Sequence, residues 1–180
     1  MKIFKKIRTK FGYFLLNKKA NKLNRIKDFN NFNSAKTIGV IFNASKQDLY
    51  LKAKSFIENL SEKKISVSGL GYVLKRDSIE WYSQHKNIDF FSMEELTWYF
   101  KPNGITVNRF INTPFDILID LTIEEDLTLN FIIGLSKARF RISPQYKVNY
   151  ADFMIKLDEN SNIEYFIKQI QHYLSSISKS

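Results

Sequence analysis

The run Thr37-Ile38-Gly39-Val40-Ile41-Phe42 has no side chain suited to water on either alternating face. A strand of that kind is expected to be covered on both sides, so the chain must supply helical layers above and below it. The sequence around it does so. Asn43-Ala44-Ser45 reads as a turn into a helix over 46–61, with Leu49, Ala53, Phe56, Ile57 and Leu60 on one face. A second strand is expected over 65–73, and the polar stretch 75–87 as an exposed excursion. Ile88-Asp89-Phe90-Phe91 reads as a short strand. Ser92-Met93-Glu94-Glu95 has the spacing of a capping box and predicts a short helix ending near Phe100, stopped by Lys101-Pro102-Asn103-Gly104. Phe115-Asp116-Ile117-Leu118-Ile119-Asp120-Leu121 is the strongest later strand. A helix over 127–136, strands over 138–142 and 152–157, and a final helix over 162–176 follow. Such alternation predicts an α/β domain with a mostly parallel sheet and helices on both faces.

Charge divides the chain unevenly. The formal net charge is +10, and residues 1–36 carry eleven basic residues against one acid, Asp28. The remainder is neutral. Residues 3–27 read as a helix, bent near Asn17, with Ile3, Phe4, Ile7, Phe11, Phe14 and Leu15 on one stripe. Asp28 to Asn33 is turn-rich, giving an expected division into a basic amphipathic helix with its connection (1–33) and an α/β body (34–180). A helix with aromatics on one side and cations on the other suits an anionic membrane surface. The same cations suit RNA phosphates. Lys2, Lys5, Lys6, Arg8, Lys10, Lys18, Lys19, Lys22, Arg25 and Lys27 are the candidate anion-binding residues. The competing expectation is that the stripe docks on the protein's own body.

Other candidates are weaker. With no cysteine, thiolate metal sites and disulfides are excluded. Gly69-Leu70-Gly71 falls inside a strand, without the strand-to-helix context of a dinucleotide loop. Glu124-Glu125-Asp126 reads as the start of a helix rather than a metal site. His85 and His172 have no recognisable catalytic partners, and no cofactor is expected. Trp81-Tyr82 and Trp98-Tyr99 could stack on bases, with Trp98 expected instead to pack on the sheet. In an open parallel sheet, ligands lie beyond the carboxyl ends of the strands. Asn43, Ser45, Asp120 and Thr122, with Ser143 beyond the fifth strand, are the polar residues expected there. The alternative for them is local capping. The apolar run Tyr13–Leu16 is too short for a signal peptide, and no segment has the length of a membrane span. A cytoplasmic location is expected, peripheral at the inner membrane where the arm meets lipid.

Several segments carry resemblances. Thr37–Ser45, Asp89-Phe90-Phe91, Phe110-Ile111-Asn112 with Phe115–Leu121, Leu135-Ser136-Lys137-Ala138-Arg139-Phe140, Asp152-Phe153-Met154-Ile155 and Tyr165–Ile170 resemble an uncharacterised family of small cytoplasmic proteins from Bacteroidota. The resemblance implies a Rossmann-like fold and no assigned activity. Residues 115–142 are also similar to the N-terminal half of heptosyltransferase-like glycosyltransferases, in the FDILIDL strand and the LSKARFRI segment. That implies shared ancestry of a half-domain without glycosyl transfer, since the first loop, Asn43-Ala44-Ser45-Lys46, has no carboxylate. The expected function is a non-catalytic binding module recruited to a membrane's inner face or to RNA or the ribosome. The alternative is a small-ligand binder or enzyme using the strand-end crevice.

Overall fold

The apolar run becomes β1 (Thr37–Asn43), a central strand with both faces covered. The computed structural model describes residues 2–77, 86–146, 150–158 and 160–176. Trp81, Tyr82, His85 and the side chains of Lys2 and Ile3 lie outside the described residues. With β1 stand β2 (Ser66–Val73), β3 (Ile88–Ser92), β4 (Ile117–Asp120), β5 (Phe140–Pro144) and β6 (Phe153–Ile155). They form one sheet in the order β3-β2-β1-β4-β5-β6, and each neighbouring pair is parallel. The strand order reverses beside β1, with Ile38 opposite Ile117 and Ile41 opposite Asp120. This is the Rossmann-like arrangement, with its switch point between β1 and β4.

Two helical layers enclose the sheet. α2 (Gln47–Glu62) and the C-terminal helix, Ile163–Ser176, cover one face, where Phe56, Phe166 and Ile170 pack with Val40, Phe42 and Ile119. The other face carries α1 (Lys2–Ala20), α3 (Ile105–Asn112) and α4 (Leu127–Leu135); the C-terminal helix is therefore α5. There Leu16, Val107, Phe110 and Phe131 pack with Ile41, Leu70 and Leu118.

Two expected helices differ. The Ser92 signal opens only a 3-10 turn, Met93–Glu95, in which the Glu95 carboxylate accepts the Ser92 amide at 3.1 Å. The chain then bridges Leu96 to Pro102 and places Phe100 at φ 67, a left-handed conformation that no helix continues through. The helix preceding β4 is instead α3. Its eight residues bury only Val107 and Phe110, too few turns to print a clear period. The N-terminal helix stops at Ala20 rather than near residue 27. Residues 21–36 cross irregularly to the opposite face, held by Asp28 N–H to the Arg139 carbonyl and Phe32 N–H to the Leu174 carbonyl. Asn31 Oδ1 closes the expected turn by accepting the amides of Asn33 (3.0 Å) and Ser34 (2.9 Å).

The α1–α4 contact explains the composition of α4. Every residue from Leu127 to Gly134 is buried, so this helix has no solvent side. A helix buried all round needs a second cover, and α1 supplies it. Leu16 is fully buried against Gly134, and Gly12 sits under the Tyr99 carbonyl and Leu127, where a Cβ would stand 2.6 Å from that carbonyl oxygen. Tyr13 donates to Glu125 at 2.6 Å and Tyr150 donates to Asn17 at 2.9 Å. Burial, reinforced by the Glu125 carboxylate, pushes the Tyr13 phenol above its ordinary range.

Candidate functional site

Two places gather chemistry that the fold does not use up. The first is a cleft of about 290 Å³ at the switch point, lined by Asn43, Ser45, Lys46, Asp48, Lys52, Thr122, Glu124 and Asn162 over Phe42, Leu121 and Ile163. Three of the expected crevice residues, Asn43, Ser45 and Thr122, are there. Asn43 also does local work, since its Oδ1 accepts the Ser45 amide at 2.8 Å. Lys52 is held by Glu164 at 2.8 Å and lies 3.7 Å from Asp48.

Asp120 is a correction. Alternation along β4 sends it to the Leu118 side, away from the cleft, where it is fully buried under Tyr146. Its Oδ1 accepts the Thr122 amide at 2.9 Å, and Tyr146 Oη lies 3.4 Å from Oδ2 while donating to the Thr122 carbonyl. Burial pushes the carboxyl up to about 7, against the hydrogen bonds from Thr122 and Tyr146 that favour its charged form. A carboxyl raised in the folded state binds more protons than its unfolded counterpart between its two pKa values. Stability therefore falls as pH rises from about 4 to about 7. Asp120→Asn is expected to flatten that decline, read as Tm against pH; an unchanged slope refutes the assignment. Ser143, also expected at the strand ends, is buried and spends its hydroxyl on the Pro144 carbonyl at 2.8 Å.

The second place is the outer face of α1. The inward line Gly12, Leu16 and Ala20 leaves the aromatic stripe on the opposite side. Phe4 is 75%, Ile7 56% and Phe14 59% exposed. The helix therefore does dock on its own body, but by the face opposite the stripe. Lys5, Lys6, Lys10, Lys18, Lys19 and Lys22 are exposed around it. Arg25 does not belong to this group. Its side chain is 3% exposed, pairs with Asp152 and donates to the Ala138 and Arg139 carbonyls at 2.9 Å each. Lys27 is exposed, 3.9 Å from Asp152. Arg8 donates to the Trp98 carbonyl and lies 4.5 Å over the Phe100 ring. Trp98 does not pack on the sheet; it is exposed and stacks on Phe11 at 4.9 Å.

The acidic triplet behaves as a helix start: Asp126 Oδ1 accepts the amides of Thr128 (2.7 Å) and Leu129 (3.3 Å). Among the described residues no group of three His, Asp or Glu side chains is placed to hold a metal ion. No helix among them is long and apolar enough to cross a membrane. The inward face of α1 was missed in the sequence, although small Gly12 and Ala20 flanking Leu16 at four-residue steps mark a close helix contact.

No curated protein and no solved structure gives a significant match to the chain. Residues 8–177, which span both α1 and the sheet, match a family of unknown function, DUF6913, and the chain belongs to that family.

Proposed function

We propose that the protein is a non-catalytic α/β module that binds the anionic cytoplasmic leaflet of a membrane through the outer face of α1. The observation carrying this reading is the exposure of Phe4, Ile7 and Phe14 on a helix already docked by its other face. Phe4, Ile7 and Phe14 are left facing solvent, and the surrounding ammonium groups match an anionic headgroup layer. An in-plane helix gains from burying its apolar face at roughly 25 cal/mol per Å². Each nearby cation adds on the order of 1 kcal/mol on anionic lipid. RNA would use the cations but leave the Phe and Ile side chains in water, so lipid is favoured. The cleft is the weaker candidate, because Lys52 is already paired across it and Asp120 faces away.

The full chain is expected to sediment with phosphatidylglycerol vesicles and not with phosphatidylcholine vesicles. The Phe4→Ser/Ile7→Ser/Phe14→Ser variant should lose that binding at unchanged Tm, because exposed positions contribute little to folding. Binding retained by the triple variant, or RNA binding in its place, rejects the reading.

A further inference from the structure

The aromatic surface does not end with α1. Beyond the Leu96–Pro102 bridge, Thr97 N–H donates to the Lys101 carbonyl at 2.8 Å, Phe100 N–H to the Thr97 carbonyl at 3.0 Å, and Lys101 N–H to Thr97 Oγ1 at 3.1 Å. These bonds close a tight turn with Trp98 and Tyr99 at its tip. The two rings meet edge to face at 5.5 Å but have different surroundings. Tyr99 turns inward against Phe131 (6.2 Å), while Trp98 stays 55% exposed and lies nearly parallel to Phe11, with the planes 20° apart. Phe11 belongs to the α1 stripe, so Trp98 extends that stripe onto a second element. Arg8 clamps the two together through the Trp98 carbonyl and the Phe100 ring.

We propose that the Thr97–Lys101 turn is a second membrane-contacting element, in which Trp98 enters the interfacial layer beside Phe11. This rests on the reading of α1 as the membrane face and adds a second element to it. Trp is suited to that depth, with an apolar body and a polar N–H.

The sequence has two tryptophans, Trp81 and Trp98. In the full chain carrying Trp81→Phe, emission from Trp98 is expected to shift to the blue on phosphatidylglycerol vesicles and to be quenched by brominated acyl chains. The converse variant, Trp98→Phe, should lose the blue shift, which guards against a folding failure of the first. Vesicle binding with unshifted, unquenched Trp98 emission overturns the turn's role while leaving the α1 reading intact. Absence of vesicle binding by the wild-type chain overturns both readings.

Discussion

Asp152→Ala is expected to destabilise the protein by about 3–5 kcal/mol, the range for removing one partner of a buried ion pair. Asp152 is the shared carboxylate of two arginines. Its Oδ1 takes Arg25, and its Oδ2 takes the backbone amide of Arg141 at 3.0 Å and Arg141 Nε at 3.4 Å. The two guanidinium groups are nearly removed from water, at 3% and 11% exposure. Arg141 is pushed down to about 10, by burial first and by the Arg25 charge as well, with Asp152 opposing both. Arg141 also donates to the Ile133 and Gly134 carbonyls at 3.0 and 3.2 Å, satisfying orphan groups at the end of α4. Without the carboxylate, two cations would face one another in a poorly solvated place. Urea denaturation of the variant measures the cost, and a loss below 1 kcal/mol would contradict this account. The Arg25→Ala/Asp152→Ala double variant should recover part of the loss, because one uncompensated cation goes with the anion.

Leu16→Ala is expected to cost about 2–5 kcal/mol, as for other fully buried leucines. The side chain is fully buried between α1 and α4, against Gly134. Its removal leaves a cavity that α1 cannot close by moving in, because Gly12 already stands against a backbone carbonyl. Loosening α1 would bare the apolar α4, so the variant should also bind a hydrophobic dye below its midpoint. Equal midpoints for wild type and variant in urea would remove α1 from the core. Deleting the N-terminal segment is consequently a poor test of membrane binding, because the deletion strips a layer from the fold.

The sheet was legible because its strands carry their burial in the residues themselves. Thr37–Phe42 has no polar face, and Ile117–Leu121 nearly none, so both read as interior strands and proved to be β1 and β4. Helices with a long, one-sided period, such as α2 and α5, were equally plain. What failed depended on contacts that the local pattern does not carry. The Ser92–Glu95 signal is real chemistry, but the Leu96–Pro102 bridge ends its helix after one turn. Asp120 obeys the alternation expected of it, yet alternation cannot say which side of a sheet holds a cleft. Arg25 sits in a run of surface cations and differs from them only because Asp152 is placed beside it. For α1, the greasiest positions drew attention to the stripe. The inward side is defined instead by Gly12, whose missing side chain admits the Tyr99 carbonyl, in line with Leu16 and Ala20. A largely apolar Leu127–Leu135 called for that cover, although the sequence does not say which segment supplies it.

A helix sewn to its domain along one flank and bare along the other is a mount, unlike a leash on a loose linker. A domain held this way would ride the lipid at constant tilt and height, with every other feature of its surface at a set bearing. Anything meeting it there would find the same side presented each time, and the search for that encounter would shrink from three dimensions to two.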